Sequence, residues 1–239
     1  MISQAGGGVA FYKSPQIWRI NHYRFFHLPT DRSGFYTYIK DGEDFWCPTN
    51  EPCHSKPEKW TSTHGMGYTR FDAEKNGVSA KAVYFVGKYK NSLIWNLKLS
   101  SKEDKKITVF PYVELSMMEA VREFQWQGNL KHHLRCYNRG DILVYTCKCP
   151  GHPKMEETPL VYFATDANIT AFDCDRDEFV GTYRSEENPI SVVEGKCKNS
   201  VLFGGDPCFA FQIDVDLKAG EEKTVNLFLG TAMTEDEIK

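Results

Sequence analysis

The sequence predicts an all-β protein, a large antiparallel β-sandwich formed as one domain. Three observations predict it. Short runs of aromatic and β-branched residues alternate with polar ones along most of the chain. Turn residues or charged loops punctuate those runs, and helical periodicity is scarce. Aromatic residues, which favour strands, make up 14% of the chain. A chain of 239 residues buries a sizeable core without cross-links, and sandwiches of this size are commonly single domains.

Taken in order, residues 35–39 (Phe-Tyr-Thr-Tyr-Ile) read as a strand. Residues 67–72 alternate, residues 74–77 place Asn-Gly at the tip of a turn, and residues 78–86 return, which is a β-hairpin. Residues 92–100 form a strand, 101–106 a charged turn and 107–115 the next strand. Residues 210–217 alternate cleanly, residues 218–223 turn, and residues 224–230 return as a second hairpin. Such hairpins are expected to hide one face and wet the other. The best helix candidate is residues 116–127. Thr234 is a plausible N-cap, with Glu235, Asp236 and Glu237 in the first turn of a helix that begins near the end of the chain.

The formal net charge of −3 leaves no electrostatic footprint for nucleic acid. No basic stretch suits a membrane surface and no apolar run is long enough to span one. Met1 is followed by Ile-Ser-Gln-Ala-Gly-Gly-Gly, without the basic and apolar regions of a secretory leader. The eight cysteines are scattered and are expected as reduced thiols in a cytoplasmic protein.

Several motifs have two readings. Gly6-Gly7-Gly8 suggests a phosphate cradle, but Phe11, Tyr12 and Pro15 do not open the helix such a loop needs, so a tight turn or close backbone approach is expected. Cys147, Cys149 and His152, with Cys136, lack the usual zinc pair spacing, and no metal is expected there. Asp173, Asp175, Asp177 and Glu178 fail the calcium-loop pattern, because its Gly and final Glu positions hold Glu178 and Arg184. A structural turn is expected instead, its carboxylates paired with Arg176 and Arg184. His22, His54, His64, His132 and His133 stand at no His–Glu spacing that marks catalysis, and His64 reads as structural. Residues 123–130 (Glu-Phe-Gln-Trp-Gln-Gly-Asn-Leu) combine an indole with amides where strand periodicity ends. That mixture suits a sugar, as a stacking face with groups for hydroxyls. A core tryptophan in a short helix is the other reading.

The order of particular residues resembles glycoside hydrolase family 94, the cellobiose, cellodextrin and chitobiose phosphorylases. The resemblance runs through Ser3-Gln-Ala-Gly-Gly-Gly8, Arg19-Ile-Asn-His-Tyr-Arg24, Asp31-Arg-Ser-Gly34, Phe45-Trp-Cys-Pro48 and His64-Gly-Met-Gly-Tyr-Thr69. It continues through Asp175-Arg-Asp-Glu-Phe-Val-Gly181 and Tyr183-Arg-Ser-Glu-Glu-Asn-Pro189 to Gly220-Glu-Glu-Lys223. Ser33 and Cys47 depart from the family's Asp-Arg-Pro-Gly and Trp-Ser-Pro.

The resemblance implies a β-supersandwich of galactose mutarotase type over residues 1–230, lacking some leader strands. Residues 231–239 would start a helical linker to an (α/α)6 catalytic domain. It also implies an inverting, phosphate-dependent cleavage of a cello-oligosaccharide or related β-glucan, with inorganic phosphate as co-substrate and no metal or organic cofactor. The general acid would lie in the helical domain, leaving no catalytic residue in this chain. The sandwich would shape the acceptor end of the site and build a homodimer. A loop of this region lies near the family's active site, which makes Arg122, Glu123, Gln125, Trp126, Gln127 and Asn129 candidate substrate contacts. The cellobiose members have Phe-Gln-Arg-Asn there, and Trp126 and Gln127 replace that pattern. A stand-alone carbohydrate-binding or structural module is the rival reading.

Overall fold

The computed structural model describes residues 1–22, 33–88, 91–119, 121–123, 125, 131–149 and 154–238. Two antiparallel sheets dominate it. The nine-stranded sheet contains β4 (Lys59–Gly65), β5 (Tyr68–Lys75), β6 (Val78–Val86), β7 (Ser92–Ser101), β9 (Leu134–Arg139), β10 (Ile142–Cys147), β11 (Leu160–Thr165), β13 (Leu202–Phe203) and β15 (Glu222–Ala232). Its order is β13-β9-β10-β11-β15-β7-β6-β5-β4. The smaller sheet has β12 (Ala171–Asp175), β14 (Pro207–Leu217), β8 (Lys105–Met118), β2 (Tyr36–Asp41) and β3 (Asp44–Trp46) in the order β12-β14-β8-β2-β3. Beyond β2, β1 (Arg19–Asn21) pairs with the end of β8, Arg19 opposite Met118 and Asn21 opposite Leu115.

The hairpin around Asn76-Gly77 forms as the sequence predicts, β5 pairing with β6 from Lys75↔Val78 outward. Both turn residues have positive φ, 52° and 74°, as a two-residue hairpin turn matched to strand twist requires. The second predicted hairpin does not form. β14 pairs with β8 and β12, whereas β15 pairs with β7 and β11. The turn at 218–223 therefore carries the chain from one sheet to the other, and the charged loop after β7 does the same. Alternation reports one buried face and is silent about which neighbour a strand takes.

The core lies between the sheets. Trp95 packs against Phe163 at 5.1 Å between ring centroids, and Phe163 stacks on Phe211 at 4.9 Å. The smaller sheet is also covered on its far side, by two five-residue helices that the sequence analysis did not anticipate, α1 (Arg176–Val180) and α2 (Ile190–Glu194). Phe179 of α1 stacks on Tyr112 at 4.8 Å, and the Tyr38 hydroxyl donates to the Glu186 carbonyl. This cover explains β8. Val109 and Val113 join the inter-sheet core, Phe110 and Tyr112 join the helix layer, and most of the strand is buried. The expected wet outer face is absent there, because a third layer occupies it.

Two further expectations are corrected. Residues 116–118 continue β8, with Met117 and Met118 in the core, and among the described residues of 116–127 only 121–123 and 125 are helical. The pairing of β1 with the end of β8 wins over the helical tendency of this stretch. After Thr234 the chain makes a single 3-10 turn, Glu235–Glu237, without a Thr234 side-chain cap. That turn is pinned to β9, where Tyr137 Oη donates to Glu235 Oε1 at 2.6 Å and Arg139 Nε lies 3.3 Å from Glu235 Oε2.

Candidate functional site

The segment that leaves β8 is anchored from both directions. Glu119 Oε2 accepts from the Arg122 amide at 2.8 Å, and the Glu123 amide donates to the Glu119 carbonyl at 2.9 Å. These bonds wind the helical turn that begins at Val121. They bring the Glu123 carboxylate inward, where Oε2 accepts from Arg19 Nη2 and Oε1 from His22 Nδ1, both at 2.7 Å. Arg19 is held by β1, and the His22 amide donates to the Glu114 carbonyl on β8. Burial alone would raise the Glu123 carboxyl. The His22 hydrogen bond and charge, with the Arg19 charge, outweigh it and hold the group below the usual carboxylate range.

The six sequence-predicted contacts therefore separate. Glu123 is buried, with each carboxylate oxygen engaged inside the chain. Arg122 and Gln125 are exposed. Trp126, Gln127 and Asn129 lie outside the described residues. The described part of the segment is tied to β1 and β8 and presents Arg122 and Gln125 to solvent. Arg19 and His22 were not singled out as partners of Glu123. Ionic partners 104 and 101 residues apart leave no local signal in a sequence.

The other motifs resolve structurally. Gly6 has φ +103°, its Cβ position falls against the Thr49 side chain, and no helix opens after the glycines. Asp173 is fully buried and accepts from the Lys198 and Ser200 amides and from the Ser191 and Ser200 hydroxyls. Asp175 caps α1 by accepting from the Asp177 amide at 2.9 Å. Arg176 makes its shorter contacts outside the acidic run, to Glu186 at 2.8 Å and Glu114 at 3.1 Å, and keeps one to Asp177 within it at 4.0 Å. Arg184 donates to Asn188 rather than to those carboxylates, so the expected pairing is corrected for Arg184. Tertiary neighbours supply better partners than the adjacent acids do. His64 sits exposed on β4, its Nδ1 3.1 Å from Thr69 Oγ1. Cys147 and Cys149 are buried, and His152 lies outside the described residues. Among the described residues no group of three or more potential metal ligands occurs, and no helix is long and apolar enough to cross a membrane.

A groove of about 1010 Å³ opens between the N-terminal segment and β5–β7, lined among others by Phe11, Tyr12, Lys13, Tyr68, Phe85 and Asn91. It combines half-exposed rings with amine and amide groups, and none of these residues was expected to form a binding site.

The chain is 29% identical over 241 residues to an N,N'-diacetylchitobiose phosphorylase from Vibrio furnissii, covering 96% of this chain and 29% of the relative. A solabiose phosphorylase from Paenibacillus borealis is 29% identical over 205 residues, covering 82% of this chain and 26% of the relative. The chain thus spans less than a third of the length of these relatives. Among solved structures, a bacterial glucoamylase complexed with acarbose superposes with a TM-score of 0.54 at 9% identity, covering 97% of this chain and 30% of that one; the likeness is one of fold. The family model described as the glycosyl hydrolase 94 supersandwich domain matches residues 1–239, and the chain belongs to that family.

Proposed function

We propose that this chain is the non-catalytic supersandwich of an inverting, phosphate-dependent glycoside phosphorylase. The observation that carries the reading is the family match over residues 1–239, joined to relatives whose names are those of phosphorylases. The substrate is a cello-oligosaccharide or related β-glucan, and inorganic phosphate is the co-substrate with no other cofactor. Chemistry belongs to an (α/α)6 domain outside this chain. The sandwich shapes the acceptor end through the segment from Arg122 to Asn129 and builds a cytoplasmic homodimer, with no nucleic acid or membrane partner. Trp126 supplies the stacking face, and Gln125, Gln127 and Asn129 satisfy sugar hydroxyls that would otherwise be buried unpaired. The test has two arms. The chain alone, incubated with cello-oligosaccharides and phosphate, releases no glucose 1-phosphate. In the complete phosphorylase, Trp126→Ala raises KM for the oligosaccharide and leaves phosphate affinity unchanged. Turnover by the chain alone overturns the assignment. Loss of about 3 kcal/mol or more of stability in the mutant shows a core tryptophan instead.

A second reading, a stand-alone carbohydrate-binding module, is favoured by the groove beside Phe11 and Tyr68. Calorimetric binding of cello-oligosaccharides to the chain, abolished by Tyr68→Ala, would select it.

A further inference from the structure

Cys47 and Cys53 face one another across the loop that follows β3. Their Sγ atoms are 3.1 Å apart. A disulfide bond is about 2.05 Å long, so roughly an ångström of side-chain movement separates the dithiol from a bond. The loop is held in place by its backbone and its neighbours. The Glu51 amide donates to the Ala5 carbonyl at 2.8 Å, the His54 amide to the Asn50 carbonyl at 3.0 Å, and Trp60 Nε1 to the Pro48 carbonyl at 3.0 Å. The two sulfurs therefore meet in a fixed frame. All eight cysteines carry free thiols, and seven of them are buried; Cys53 is the one with partial access to solvent. Elsewhere, Cys136 donates to the Cys208 carbonyl at 3.3 Å within the fully buried core, where no reagent reaches.

We propose that Cys47 and Cys53 form a reversible dithiol–disulfide site that reacts with small disulfides of the glutathione type. Cys53, as thiolate, attacks one sulfur of the reagent. The reagent's S–S bond breaks, one thiolate leaves and takes up the proton Cys53 released, and a mixed disulfide forms on Cys53. Cys47 then gives up its proton and attacks Cys53 Sγ, expelling the second thiolate, which accepts that proton. Two protein thiols are oxidised to one disulfide, and one small disulfide is reduced to two thiols. Burial pushes the Cys47 thiol up, which makes Cys53 the entering nucleophile and Cys47 the resolving one. Closure would brace the loop that carries Thr49 against Gly6 and Glu51 against Ala5, so the redox state would be felt by the glycine-rich N-terminal segment.

The test treats the folded chain with oxidised glutathione, quenches with acid and maps the products by mass spectrometry. The expected result is an early glutathione adduct on Cys53 that decays into an internal Cys47–Cys53 disulfide. Two of the eight thiols are lost, the intact mass falls by two hydrogens, and dithiothreitol restores both. Cys47→Ser should stop at a stable adduct on Cys53, and Cys53→Ser should remain unmodified, with circular dichroism establishing that each variant is folded. If either variant fails to fold, the order of species in the wild-type time course decides. A lasting adduct on wild-type Cys53, a disulfide joining another pair, or unreactive thiols in the folded wild type would overturn the proposal.

Discussion

Glu123 and Arg19 form a buried ion pair at 2.7 Å, joining the turn after β8 to the first strand across 104 residues of sequence. Truncating Arg19 leaves the buried Glu123 carboxylate with His22 as its other ionic partner, so the cost should be about 1.5–3 kcal/mol, that of a lost charged hydrogen bond, rather than that of a wholly uncompensated charge. Arg19→Ala is expected to lose stability on that scale in urea titrations at neutral pH. A loss below about 1 kcal/mol would mean that the pair is solvated in solution.

The same pair sets an acid limit. In the unfolded chain the Glu123 carboxyl titrates near about 4.3, and in the folded chain it is held lower. Between those two values the unfolded state binds more protons, so stability falls with falling pH. The contribution is complete above the unfolded value and lost as pH drops through the folded one. Glu123→Gln should therefore flatten the acid arm of a stability curve measured from neutral pH downward. An unchanged acid arm would assign that limb to other carboxylates.

Gly6→Ala should destabilise the domain by about 1–3 kcal/mol, because φ +103° strains any side chain and the new Cβ meets Thr49. Thr49→Gly removes the steric part but also the Thr49 hydroxyl's bond to the Glu51 carbonyl, so the reference is Thr49→Gly alone: in that background Gly6→Ala should cost less, but still lower the melting temperature. A double variant as stable as Thr49→Gly alone would show that the backbone relaxes freely at Gly6.

Arg176 offers a contrast to a calcium reading of the acidic run. Its guanidinium bridges Glu114 and Glu186, while Asp173 is consumed by amides and hydroxyls. Arg176→Ala should cost about 1–3 kcal/mol by removing the charged hydrogen bonds through which the guanidinium bridges the two carboxylates. Titration calorimetry with calcium should show no micromolar site in the wild type; heat at that level would reassign the run.

Strand identity was legible in the sequence wherever one face is wet, as in β5, β6 and β15, because alternation then survives in the residue pattern. Strand partnership was not. The alternating runs on either side of the turn at 218–223 look like a hairpin, yet they lie in different sheets. The end of β8 misread as helix for a related reason: buried on both faces, Ser116, Met117 and Met118 lose the period that marks a strand. At the candidate site, the break in strand pattern near Glu123 was visible. The ionic tie to Arg19 and His22 was not, since nothing local predicts a partner more than 100 residues away.

Arg122 and Gln125 separate a binding role from a structural one. They flank the buried Glu123 on a segment fixed at its base, yet both side chains are exposed. Arg122→Ala and Gln125→Ala should therefore leave stability within about 0.5 kcal/mol of wild type, as surface changes do. Arg122 holds the turn through its backbone amide, bonded to Glu119, and an alanine keeps that bond. If the segment faces the acceptor sugar, the same variants in the complete phosphorylase should raise KM for the oligosaccharide with little change in kcat, because they remove binding common to ground and transition states. Glu123→Ala should do the reverse, lowering stability first and affecting kinetics only through misplacement of its neighbours. Equal KM for wild type, Arg122→Ala and Gln125→Ala would remove both residues from the saccharide site and leave the segment a purely structural tie.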